Sequence, residues 1–106
     1  MIHIIRQAVT PQQLQEMLEV HEHYVKVAVD IQQEILAGGG EFHADCKAAL
    51  VEEGSHRQGI WGADWIPGKS AVRFGALINI RPKINPGMEI QDAMIRQRVE
   101  QVIRRF

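Results

Sequence analysis

The sequence contains one cysteine, Cys46, and no run of the roughly eighteen apolar residues that a membrane-spanning helix needs. A single cysteine excludes an internal disulfide and any zinc site built from several cysteines. The apolar run Ile2–Ile5 lacks the basic leader and the small-residue cleavage site of a secretion signal. We therefore expect a cytoplasmic protein that is neither secreted nor inserted in a membrane.

The chain also lacks an excess of one charge, because 12 basic and 13 acidic residues leave a net charge of −1. The two halves nevertheless differ, since residues 1–53 hold nine acids and three bases while residues 54–106 hold nine bases and four acids. Within one small domain, such halves neutralise each other or a second copy of the chain. We therefore expect self-association as a homodimer.

Hydrophobic periodicity predicts an α+β fold in a single domain spanning residues 1–106. The predicted order is β-α-β-β-α-β-β-α, with strands at residues 2–5, 24–31, 34–37, 60–66 and 72–81 and helices at residues 11–21, 42–53 and 93–106. About five strands would form a mixed or mainly antiparallel sheet with about three helices on its apolar face. Strict alternation in residues 24–31 predicts a strand that is buried on one side only.

A run of three glycines, residues 38–40, leads into the second predicted helix. Glycine permits a positive φ and a close approach of another group, and a helix start offers free N–H donors. We therefore predict ligand-binding positions at Gly39, Gly40, Glu41 and His43. The run lacks the spacing of a phosphate-binding loop, so nucleotide binding is not expected.

Three side chains in this helix are candidate catalytic residues: His43, Asp45 and Cys46. His43 and Cys46 are three residues apart, so on a helix they are neighbours and could act as acid/base and nucleophile. Cys46 is equally in register with apolar Ala49 and Leu50, which favours packing. Because residues two apart point in different directions on a helix, we predict no metal and no cofactor.

A second predicted site lies on the polar side of the sheet. Alternation brings six charged or amide side chains to one face: Lys26, Asp30, Asp64, Arg73, Asn79 and Arg81. Asn79 and Arg81 would help to bind a small carboxylate or amide ligand and could close over the glycine-rich site. With Trp61 and Trp65 nearby, the same face could instead be a dimer interface.

Seven segments of the sequence together resemble a known family. These stretches are residues 25–31, 34–37, 39–45, 53–55, 60–65, 77–82 and 88–92, which include Gly39-Gly40-Glu41-Phe42-His43-Ala44-Asp45 and Leu77-Ile78-Asn79-Ile80-Arg81-Pro82. Together they resemble a family of small bacterial proteins, including cyanobacterial ones, that is a domain of unknown function. The resemblance covers nearly the whole chain and implies a free-standing cytoplasmic domain. It implies no activity, cofactor or catalytic residue.

The sequence is compatible with three classes of function. The leading interpretation is a cytoplasmic binding or regulatory module that self-associates. The first alternative is a small enzyme with its site at Glu41, His43, Asp45 and Cys46. The second alternative is nucleic-acid binding through four arginines of the last helix, which we do not expect because Glu100 interrupts them: Arg96, Arg98, Arg104 and Arg105.

Overall fold

A computed structural model describes all residues 1–106 and shows five strands in one antiparallel sheet of order β1-β3-β2-β4-β5. The strands are β1 His3–Ile5, β2 Val25–Asp30, β3 Ile35–Gly38, β4 Ile60–Ile66 and β5 Ala71–Arg73. The helices are α1 Pro11–Met17, α2 His43–Glu52 and α3 Ala93–Arg105. The α+β class and the predicted order of elements are confirmed. No helix combines the length and apolar content required to cross a bilayer.

Side-chain caps determine where two helices begin. Thr10 accepts a hydrogen bond from the Gln13 N–H while the Gln13 side chain accepts one from the Thr10 N–H, which completes a capping box around Pro11. Asp92 accepts hydrogen bonds from the N–H groups of Met94 and Ile95 at the start of α3. Both starting points are those that the sequence predicts.

Helices cover both faces of the sheet, so the prediction of one-sided burial for residues 24–31 is wrong. Helices α1 and α3 pack over the face that carries Val25, Val27 and Val29. Helix α2 packs over the other face, where Ala28 of β2 is fully buried. Alanine is small enough for a helix to lie close against it, yet in an alternating pattern it is easily assigned to a solvent face.

The predicted strand at residues 72–81 ends at Arg73, and residues 77–79 instead form a 3₁₀ turn. The cause is Asn79, whose buried amide accepts a hydrogen bond from the Gly62 N–H (2.7 Å) and donates one to the Gly62 carbonyl (2.9 Å). The Asn79 side chain thereby occupies the hydrogen-bonding groups of β4 that the predicted strand at residues 72–81 would have paired with. A Cβ at Gly62 would lie 2.5 Å from that of Ala76, so this close approach requires glycine.

Residues 74–92 form an ordered connection to α3, and their prolines lie in a loop as predicted. The buried Asn85 amide donates to the carbonyls of Asn79, Gly87 and Glu89 and accepts from the Gln91 N–H. Two buried asparagines therefore organise this loop through backbone groups, in place of a regular ladder. We refer to residues 77–88 as the asparagine loop.

Candidate functional site

The glycine turn between β3 and α2 is tightly packed. Gly39 has a φ of +96°, and a Cβ there would lie 2.3 Å from the Met1 carbonyl oxygen. A Cβ at Gly40 would lie 3.1 Å from Cys46 Sγ. Both glycines are buried, so they join β3 to α2 beneath the N-terminal segment and present no open ligand surface.

His43, the first residue of α2, reaches across to β4. Its Nε2 lies 3.0 Å from the Ala63 carbonyl oxygen and 3.0 Å from Asp64 Oδ1. Both of these atoms are acceptors, so Nε2 carries the hydrogen, and Nδ1 holds the lone pair of the neutral ring. Nδ1 has no hydrogen-bond partner within the chain, and 11% of the side chain is exposed.

Asp64 links this histidine to a cation on the neighbouring strand. Its Oδ2 lies 3.6 Å from an Arg73 guanidinium nitrogen, and Arg73 in turn lies over the Tyr24 ring at 5.3 Å. Lys26 on β2 is in register with Asp64 on β4, and Asp64 is in register with Arg73 on β5. Three charged side chains therefore share one sheet face across three adjacent strands, as alternation predicts.

Helix α2 covers one part of this face, and a groove of about 530 Å³ lies beside its N-terminal end. We call it the main groove. It is lined by Tyr24, Lys26, Phe42, His43, Ala44, Asp64, Arg73, Gly75, Ala76, Leu77, Ile78 and Met88. Its apolar wall is unusually exposed, since Leu77 is 72% and Phe42 58% accessible. Its polar side holds two permanent cations and one carboxylate.

The other candidates in α2 lie outside the main groove. Cys46 is buried among Ala28 and Leu50, and burial raises the pKa of its thiol to about 11. A thiol that stays protonated and enclosed at neutral pH is a poor nucleophile. Glu41 and Asp45 are exposed and do not line the groove. Of the four candidate residues Glu41, His43, Asp45 and Cys46, the structure therefore brings only His43 to the groove.

Asn79 and Arg81 also lie outside the main groove. Asn79 is fully buried under β4, as described above. Arg81 donates hydrogen bonds to the carbonyls of Gln58 and Ile60, and its guanidinium stacks 3.8 Å from the centre of the Trp61 ring. Their polar groups are engaged by the fold, so the glycine turn and these two residues form no common pocket.

Two further members of the predicted polar face are also enclosed. Asp30 accepts hydrogen bonds from the N–H groups of Gln32 and Gln33 and from the Ser55 hydroxyl (2.6 Å). Trp61 is only 2% exposed. Trp65 packs with Trp61 against the core on the Val27 face of the sheet, opposite Asp64. The interface predicted around Trp61, Trp65, Asn79 and Arg81 is therefore not available on the polar face, whereas Lys26, Asp64 and Arg73 are.

Each arginine of α3 has a partner within the chain. Arg96 lies over the Phe74 ring, Arg98 donates to the Ile31 carbonyl, and Arg104 and Arg105 pair with Glu100 and Glu34. The ion pairs of Arg104 and Arg105 are exposed and weak, and Arg96 and Arg98 contact a ring and a carbonyl, so the four arginines do not form one row of unengaged guanidinium groups. No three histidine, cysteine or acidic side chains converge in a geometry that could hold a metal ion.

Sequence reasoning missed the contact that gives the main groove its chemistry. It placed Asp64 on the sheet face and His43 in the glycine-rich segment, but it did not join them. Phe42 was missed as a groove residue because it lies four residues before Cys46, a spacing that puts it in register with the apolar positions of the predicted helix. Tyr24 was also missed, although alternation over residues 24–31 puts it on the same face as Lys26, and tyrosine is enriched at interfaces.

The fold and groove define a small α+β protein with one mixed apolar and basic surface site. The chain belongs to the family described as protein of unknown function (DUF5674), whose model matches residues 3–106. No curated protein and no solved structure matches the chain.

Proposed function

We propose that the protein is a binding module whose main groove takes a small organic carboxylate with an apolar portion. The observation that carries this proposal is the position of His43. Its ring is held by Asp64 beside two cations and opposite an exposed apolar wall. Ligand sites in proteins combine a mainly apolar lining with a few convergent polar groups in this way.

The charges of the groove favour an anion. Lys26 makes no ion pair, and Arg73 is largely exposed and only 3.6 Å from its single carboxylate partner. A guanidinium has five donors, so Arg73 can keep Asp64 and still bind a ligand carboxylate in a bidentate manner. His43 Nδ1 has no hydrogen-bond partner within the chain, so it is the ring atom left to contact a ligand hydroxyl or amine near the carboxylate.

The apolar wall favours a ligand with a hydrocarbon part. Phe42 and Leu77 flank the groove from different elements, α2 and the asparagine loop. The loop is fixed from beneath by Asn79 and Asn85, so Leu77 is presented with little freedom to lose on binding. Burial of such side chains contributes about 25 cal/mol per Å² of apolar surface.

The test is an NMR titration of the ¹⁵N-labelled protein with hexanoate, acetate and hexylamine. We expect hexanoate to shift amide signals around the main groove, acetate to bind more weakly, and hexylamine not to bind there. Arg73→Gln should weaken hexanoate binding about tenfold, because charge-assisted hydrogen bonds are worth ~1.5–3 kcal/mol. The matched control is Arg96→Gln, which removes an arginine stacked on Phe74 outside the groove. Equal binding of hexylamine and hexanoate would refute the proposal.

A small enzyme is the second candidate, and one observation favours it. His43 lines the main groove, its ring is held through Nε2, and Nδ1 has no hydrogen-bond partner within the chain, as a general base requires. We rank binding first because no cysteine, serine or threonine lines the main groove. In this alternative His43 transfers the proton and Cys46 takes no part.

We also propose that copies of the chain self-associate through the outer side of the asparagine loop. Ile84 is 71% exposed there, and Ile80 is also accessible. An ordered loop that displays large apolar side chains is typical of an interaction surface. A cytoplasmic location is part of the same proposal, supported by the single unpaired cysteine.

A further inference from the structure

The main groove continues beyond Tyr24 and Arg73 into a second cavity of about 470 Å³. The two cavities share Tyr24 and Arg73 as lining residues. The second cavity is completed by His23, Ile66, Gly68 and Lys69. We call it the distal cavity, and Arg73 lies where the two cavities meet.

The distal cavity contains no carboxylate. Lys69 and Arg73 are its two cations, and His23 also lines it. Glu22 comes within 4.0 Å of His23 but does not line the cavity. Along both cavities, therefore, three permanent cations face one carboxylate, Asp64, which His43 and Arg73 already engage.

The extent of the two cavities exceeds what one small carboxylate occupies. Ligand pockets usually measure about 300–1,000 Å³, and the two cavities together reach the upper end of that range. Their chemistry also changes along the length, from the apolar wall at Phe42 and Leu77, past Arg73, to Lys69. An occupant that matches this order is extended, with an apolar group at one end and anionic groups further along.

We propose that the occupant is an acidic peptide segment of another protein, bound in extended form across both cavities; this inference rests on the proposed function of the main groove. An apolar side chain of the peptide would lie between Phe42 and Leu77, and its carboxylates would meet Arg73 and Lys69. Complementary charge of this kind gives specificity and faster association.

A single-stranded nucleic acid fits the same surface less well. Sequence-independent binding of nucleic acid depends on aromatic rings on which bases stack. The Tyr24 ring is already stacked on His21, with centroids 4.7 Å apart, and carries the Arg73 guanidinium. The exposed Phe42 ring is faced by Lys26 Nζ, 5.6 Å from its centroid. The aliphatic side chain of Leu77 beside it offers no stacking surface, whereas it suits a leucine or valine side chain of a peptide.

The test measures fluorescence anisotropy of a labelled octapeptide with leucines in its first half and glutamates in its second half. Comparison ligands are the same peptide with glutamine in place of glutamate, and an oligothymidine of eight nucleotides. We expect the acidic peptide to bind at least tenfold more tightly than the glutamine peptide and than the oligothymidine, and more tightly than hexanoate. Its affinity should fall as salt rises, because exposed charges are screened.

Variants separate the two cavities. Lys69→Gln should lower affinity for the acidic peptide about three- to tenfold, and lower it by more than it lowers affinity for hexanoate. Lys83→Gln is the matched control, since Lys83 is an exposed lysine that lines neither cavity. Lys69 is exposed in a turn, so its replacement should leave thermal stability unchanged, and Lys69→Glu should weaken peptide binding further.

The outcomes are distinguishable. If hexanoate binds the main groove but the peptide binds no more tightly, or Lys69→Gln has no larger effect than Lys83→Gln, the peptide inference is overturned and the proposed function stands. If hexanoate does not bind, the proposed function fails. Tighter binding of oligothymidine than of the acidic peptide would overturn the inference in favour of nucleic acid.

Discussion

His43 Nε2 lies 3.0 Å from Asp64 Oδ1 and thereby joins the first turn of α2 to the middle of the sheet. The Ala63 carbonyl accepts from the same nitrogen, which leaves Nε2 no role other than donor. The orientation of the ring is therefore set by the backbone of β4 as well as by a carboxylate. Nδ1 is the ring atom left to interact with a ligand.

This geometry predicts the tautomer of His43. In ¹⁵N NMR spectra of the neutral ring, Nε2 should carry the hydrogen and Nδ1 should show the shift of an unprotonated nitrogen. Asp64→Ala should reduce this preference, because only the Ala63 carbonyl would then hold Nε2. His23 is the control, since its exposed ring has only a 4.0 Å contact with Glu22. A spectrum with Nδ1 protonated would contradict the assignment.

The buried thiol of Cys46 predicts slow alkylation of the folded protein. Burial raises the thiol pKa from 9.0 to about 11, so at neutral pH very little thiolate is present and the sulfur is enclosed. Iodoacetamide should label Cys46 at least a hundredfold faster in urea than in buffer, as followed by mass spectrometry. Rapid labelling of the folded chain would contradict this prediction and make Cys46 a candidate nucleophile again.

The same shift predicts a loss of stability in alkali. The folded state holds the thiol protonated, so this contribution to the free energy of unfolding is complete below pH 9 and declines as pH rises towards 11. The total loss from a shift of this size is roughly 3 kcal/mol. Urea unfolding between pH 8 and 11 should show this decline in the wild type and a shallower one in Cys46→Ala. Parallel curves for the two proteins would contradict the pKa shift.

The buried amide of Asn79 predicts a large effect on stability. Besides pairing with Gly62, it donates to the carbonyls of Phe74 and Met88. Asn79→Ala leaves these backbone groups buried without a partner, at a cost of about 3–5 kcal/mol in the free energy of unfolding. The control is Leu77→Ala in the same turn, which should cost less than about 0.5 kcal/mol because Leu77 is exposed. A loss below about 1 kcal/mol for Asn79→Ala, measured in urea, would show that the amide is not needed.

Asn79 also shows where sequence reasoning failed. Residues 72–81 alternate apolar and polar side chains as a strand does, so a local pattern gives no reason to end the strand at Arg73. The strand ends because the Asn79 amide pairs with Gly62, a residue seventeen positions earlier that has no Cβ to block the approach. The strand end is therefore set by a contact between residues far apart in the sequence. The alternation of apolar and polar residues within 72–81 carries no information about that contact.

The candidate site was also predicted only in part, because local pattern places some of its residues and contacts between distant residues place the others. Period-two alternation and strand order were enough to predict that Lys26, Asp64 and Arg73 share a face. The arrival of His43 at Asp64 depends on how α2 docks on that face, which the small side chains of Ala28 and Ala37 allow. The glycines led to the prediction of a ligand site in this segment. In the structure they instead allow close packing beneath the N-terminal residues.

The outer side of the asparagine loop predicts the oligomeric state. If copies associate through this surface, light scattering on a size-exclusion column should show a dimer at high micromolar concentration. Ile84→Ser should then give a monomer, because it replaces a largely exposed apolar side chain at the centre of the proposed contact. Met94→Ser is the matched control, since Met94 is 72% exposed and belongs to α3, outside residues 77–88. Ile84 does not line the main groove, so its replacement should leave hexanoate binding unchanged. A monomeric wild type at that concentration would remove self-association and leave the groove proposal intact.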